Sequence, residues 1–148
     1  MKMILASHGK LAEGMKDTLE MIVGKNENIY SFAAYSDGSE TKFLEDIQAL
    51  INENQDEQIV IATDVLGGSV NNEMIQLLNQ YPQIYLISGM NLPVIITLAT
   101  AVCPLTTEMI EEAISMGKEG VVFVNHLMKE NTEEYSGIKS RNFFNKFS

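Results

Sequence analysis

The chain has 148 residues, 45% of them hydrophobic and 20% charged, a composition that fits one globular domain with a sizeable core and excludes a disordered chain. A formal net charge of -10, with no cluster of lysine or arginine, argues against nucleic acid as a partner and leaves an acidic surface suited to solvation or to a basic protein face. The single cysteine, Cys103, excludes an internal disulfide and a cysteine-based metal site. The apolar start Met1–Ala6 is too short for a signal-peptide core, and "LPVIITLATAVCPL" too short for a membrane span, so a cytoplasmic location is expected.

Met3–Ala6 reads as a short apolar strand. A helix follows in which Leu11, Met15, Leu19 and Ile22 share one face and Gly24 supplies the stop. Ile29–Tyr35 is a second strand; "SDGSE" then turns the chain, and Ser39 caps a helix carrying Phe43, Leu44, Ile47, Leu50 and Ile51 inward. Ile59–Ala62 is the third strand, and "LGGSVNN" leads into a helix with Met74, Ile75, Leu77 and Leu78 on its apolar side, ended near Pro82. After a fourth strand, Ile84–Ile87, Asn91 caps a helix that tolerates Pro93 in its first turn and is closed by Pro104. A further helix runs from Thr107 to Met116 and stops at Gly117–Gly120. Val121–Val124 is a short last strand. The alternation predicts an α/β fold: one domain over residues 1–128, with a central, mainly parallel sheet flanked by helices on both faces, and a polar tail over 129–148 in which Phe143, Phe144 and Phe147 are candidates for docking.

Open parallel sheets bind ligands beyond the carboxyl ends of their strands. His8 falls just past the first strand and Asp64 just past the third, so both reach one rim if those strands are neighbours. A carboxylate that accepts one ring N–H of a histidine fixes its tautomer and leaves the other nitrogen a free lone pair, and thus a nucleophile. Gly67 and Gly68 let the backbone turn closely, and Ser69 offers a hydroxyl at a helix start, where unpaired N–H groups and the helix dipole bind anions. Together these residues suit phosphate on an imidazole. Metal catalysis has little support, because the two histidines, His8 and His126, lie at opposite ends of the chain; no cofactor is expected. Cys103, read as the apolar end of a helix, is expected to be chemically idle.

Three segments in order, "ILASHGKLAEGM", "ATDVLGGSVNN" and "ISGMNLPVI", resemble the IIA components of the mannose-type phosphotransferase system (PTS), over about Met1 to Leu127. The resemblance implies a cytoplasmic phosphocarrier with phosphohistidine at His8, a partner carboxylate at Asp64 and a phosphate-facing turn at Gly67, Gly68 and Ser69. It implies phosphate arriving from phospho-HPr and leaving to a separate IIB component, with membrane IIC and IID components served indirectly and choosing the sugar. It also implies a homodimer in which the last strand is exchanged. Val70 stands where the family often has proline, and Leu66 where it often has an aromatic residue. A histidine phosphatase also places His-Gly after a first strand, but it needs an arginine before the histidine; here Ser7 stands there, and the sole arginine is Arg141. A phosphorylation-dependent regulatory module and a subunit for dihydroxyacetone phosphorylation share the His8 chemistry and are the alternatives.

Overall fold

The computed structural model describes residues 1–35 and 42–134. Four parallel strands, β1 (Lys2–His8), β2 (Ile29–Ala34), β3 (Ile59–Thr63) and β4 (Ile84–Ser88), form one sheet in the order β2-β1-β3-β4. Successive side chains on a strand point to opposite faces, and β1 and β3 bury both. Met3, Leu5, Val60 and Ala62 pack with Ala12 and Leu19 of α1 (Leu11–Val23), Val94, Ile95 and Leu98 of α4 (Leu92–Ala99), and Ile110 and Ala113 of α5 (Thr107–Glu119). On the opposite face Ile4, Ala6, Ile59 and Ile61 pack with Phe43, Ile47 and Ile51 of α2 (Lys42–Glu53) and Val70, Met74 and Leu77 of α3 (Ser69–Gln80). The expected α/β architecture, with helices on both faces of a parallel sheet, is thus observed.

The order of the strands positions the site. From β1 the chain moves outward through α1 to β2, and from β3 it moves the other way through α3 to β4. The two connections diverge between the carboxyl ends of β1 and β3, which opens a crevice there.

Several expectations are corrected. The buried stripe of α1 is Ala12 and Leu19 with Met15 half-buried, while Leu11 and Ile22 are 52% and 54% exposed. At 100° per residue both lie about 80–100° around the helix from Ala12, on the flank that turns to solvent. Ile75 of α3 is likewise exposed. Helix α4 is capped at its start by Asn91, whose side chain accepts from the Val94 N–H, but it ends at Thr100, well before Pro104; Cys103 is an exposed residue of the following loop. Helix α5 runs to Glu119 with Gly120 as its C-cap, so it stops within the expected Gly117–Gly120 but carries Gly117 inside the helix, where a Cβ would collide with Val94 Cγ2. The last strand does not form within this chain. Val121–Phe123 are irregular and exposed, and Val124 begins α6 (Val124–Glu134); a strand needs a neighbour to satisfy its backbone groups, and among the described residues none pairs with this segment. The Ser39 cap and the three tail phenylalanines lie outside the described residues.

Candidate functional site

His8 is the last residue of β1, paired with Ala34 of β2, and Asp64 directly follows β3. Because β1 and β3 are neighbours, the two side chains meet across the crevice. Asp64 Oδ2 accepts both the His8 backbone N–H, at 2.8 Å, and a bond from Nδ1 at 2.7 Å; its Oδ1 accepts the Val65 N–H at 2.9 Å. The carboxylate is 11% exposed and the His8 side chain 45%. Burial pushes the Asp64 pKa upward, but the His8 backbone N–H, the His8 ring and the Val65 N–H together outweigh it and hold the carboxyl below its ordinary value. An ionised carboxylate only accepts, so Nδ1 carries the ring proton and Nε2 holds a lone pair. That nitrogen lies 3.0 Å from Ser69 Oγ, whose O–H donates to it.

The Gly-Gly-Ser turn brings α3 to this edge. Gly67 has φ 82°, a left-handed conformation natural to glycine. Gly68, the N-cap of α3, approaches so closely that a Cβ would sit 2.8 Å from Val65 Cγ1 and 3.3 Å from His8 Cε1. The N-cap Gly68 has no side chain to cap this helix start, so the first-turn amides keep their capacity to bind an anion beside Nε2. All five residues singled out in the sequence, His8, Asp64, Gly67, Gly68 and Ser69, therefore converge at one rim.

Other residues of the site are visible only in the fold. Ser7 is fully buried, and its Oγ accepts the Ala12 N–H at 2.7 Å, anchoring the start of α1 behind His8. Thr63 and Asn71, both buried, join β3 to α3 through a 2.8 Å hydrogen bond. Tyr35 stacks on the His8 ring; its place next to the end of the second strand was the available signal. His126, which is exposed, touches Phe123 and lies on α6. Among the described residues, no group of three or more His, Cys, Asp or Glu converges as a metal site.

The site thus pairs a histidine whose one ring nitrogen is held by a carboxylate and whose other nitrogen faces a helix start, at the switch point of a parallel sheet. Residues 2–116 match the EIIA-man family, described as PTS system fructose IIA component. A PTS sorbose-specific EIIA component from Klebsiella pneumoniae is 33% identical over 95 residues, 64% of this chain and 70% of that protein. Among solved structures, a Klebsiella pneumoniae protein described as a phosphoenolpyruvate-dependent sugar PTS permease is 33% identical, with TM-score 0.76 over 86% of this chain and 93% of its own. The mannose/sorbose-specific IIA subunit from Enterococcus faecalis is 27% identical, with TM-score 0.70 over 82% of this chain and 92% of its own. The chain belongs to the mannose family of PTS EIIA components. It is a phosphotransferase component, a phosphocarrier of a sugar phosphotransferase system, and the matches favour that role over dihydroxyacetone phosphorylation. HPr and IIB proteins are the partners that such a family has in general. No helix among the described residues is long and apolar enough to cross a membrane.

Proposed function

We propose that His8 is the phosphoryl acceptor and that Nε2 is the reacting atom. The observation that carries this reading is the 2.7 Å bond from Nδ1 to Asp64, which leaves the lone pair on Nε2 beside Ser69. In the forward step Nε2 attacks the phosphorus of phosphohistidine on HPr. The new N–P bond forms as the donor N–P bond breaks, and that electron pair returns to the donor imidazole. The His8 ring keeps its Nδ1 proton and becomes cationic, and the Asp64 carboxylate offsets that charge. Ser69 Oγ turns its hydroxyl from Nε2 to a phosphoryl oxygen, while the amides of α3 above Gly67 and Gly68 bind the others. Transfer to IIB is the same exchange in reverse, and the phosphoryl group then serves the IIC and IID components.

These exchanges belong to the cytoplasm. Exposed Leu11, Val65 and Leu66 beside the rim supply apolar contact for protein partners, and the net charge of -10 suits a basic HPr face. Homodimerisation is part of the reading. Strand β4 is a sheet edge, and a cavity of about 250 Å³ opens beside it, with Ser88 and Val121 in its lining. Ser88 Oγ is buried without a hydrogen-bond partner among the described residues, and the exposed Val121–Val124 segment has strand-like composition. A second copy laying this segment along β4 satisfies both features.

The test is incubation with phosphoenolpyruvate, enzyme I and HPr, following acid-labile phosphate by intact mass. Wild type should gain one phosphoryl group and His8→Ala none. Asp64→Asn should fold yet transfer about 10²-fold more slowly. A His8→Ala protein that still acquires the phosphate overturns the proposal.

A further inference from the structure

Tyr35 directly follows β2 and has φ 63°, a left-handed conformation that a bulky residue keeps only where its surroundings over-determine it. Contacts with Phe43, Glu73 and His8 hold its ring. The edge meets Phe43 of α2, with centroids 5.9 Å apart and planes at 66°. The hydroxyl donates to Glu73 Oε1 of α3 at 3.3 Å. The face stacks on the His8 imidazole, with centroids 5.6 Å apart and planes at 30°. A strained backbone thus delivers an aromatic face to the reacting ring and ties it to α3, the helix that begins with Ser69.

The need for such a wall follows from the chemistry. The His8 side chain is nearly half exposed, and its ring is fixed at one edge by Asp64 and at the other by Ser69. Once phosphorus takes Nε2, the Ser69 bond to that nitrogen is lost and only the Asp64 edge remains. The phosphorylated ring also keeps its Nδ1 proton, and a cation within about 6 Å of an aromatic centroid is attracted to the ring face.

We infer that Tyr35 is a positioning residue for phosphoryl transfer, holding the plane of the His8 imidazole and offering its face to the charge of the phosphorylated ring. This rests on the reading of His8 as the acceptor. Tyr35→Phe keeps the ring face, whereas Tyr35→Gly removes it at a position whose φ glycine adopts readily. Transfer from phospho-HPr is measured for wild type and both variants, with melting temperature as the check on folding. Tyr35→Phe should retain most of the rate, and Tyr35→Gly should lose roughly tenfold in kcat with KM for phospho-HPr little changed. A wild-type kcat in Tyr35→Gly overturns the inference, as does a Tyr35→Phe rate as low as that of Tyr35→Gly, or a loss confined to KM. If Tyr35→Gly melts early, Tyr35→Asn, which also tolerates the left-handed region, gives the same readout. A wild-type protein that takes no phosphate on His8 refutes the acceptor reading itself, and the inference with it; a failure of Tyr35 alone leaves wild-type phosphorylation intact.

Discussion

At the scale of single residues, the site is a competition between burial and hydrogen bonding at Asp64. Hydrogen bonds and the His8 ring win, so the folded-state pKa lies below the unfolded value of about 3.9. A depressed carboxylate pKa contributes stability that is present above the unfolded pKa and is lost as pH falls through the folded one. The stability that wild type holds over Asp64→Asn through this charge should therefore shrink as pH falls below about 4. Urea titrations at a series of pH values check this; a difference that persists unchanged to pH 3 would show that the charge on Asp64 does not stabilise the fold. His8, Asp64 and the Gly-Gly-Ser turn were legible in the sequence because each follows a recognisable apolar run, and strand ends gather at one rim. Tyr35 was not, because its stack depends on one left-handed φ beside the pairing of His8 with Ala34. Ser7 could be read only as the absence of an arginine; its bond to the Ala12 N–H exists only once β1 turns into α1.

Among the elements, all four strands were legible as short, largely apolar runs, and the inner two, β1 and β3, are near-continuously apolar because both their faces are buried. Helix faces were less so. Leu11 and Ile22 belong to an apolar stripe by spacing, yet the sheet accepts α1 along Ala12 and Leu19, and small Ala12 permits that closer approach. The last strand failed for a different reason: β propensity in "GVVFV" has no pairing partner among the described residues, and local hydrogen bonding carries Val124 onward into α6. Gly117 shows the converse, a residue that looks like a helix stop and instead serves packing. Its carbonyl accepts from Asn91 Nδ2 at 2.8 Å while its missing side chain admits Val94. Gly117→Ala should raise local helix propensity yet lose about 1–3 kcal/mol of stability through overpacking of α4 against α5. Equilibrium urea unfolding measures it, and an unchanged or raised midpoint contradicts the packing argument.

For the whole molecule, the open edge of β4 and the exposed Val121–Val124 segment predict a dimer. Sedimentation equilibrium at micromolar concentration should give twice the 16.5 kDa chain mass, and Val122→Glu should shift the population to monomer. A wild-type protein that stays monomeric contradicts the exchange. The proposed phosphoryl transfer depends on the crevice between β1 and β3, where one imidazole nitrogen is held by Asp64 and the other faces Ser69. The most direct test is heteronuclear NMR of the ¹⁵N-labelled protein after phosphorylation by phospho-HPr. It should show a single phosphohistidine, His8, with phosphorus on Nε2 and the proton retained on Nδ1. Phosphorus on Nδ1 of His8, or on His126, would contradict the account.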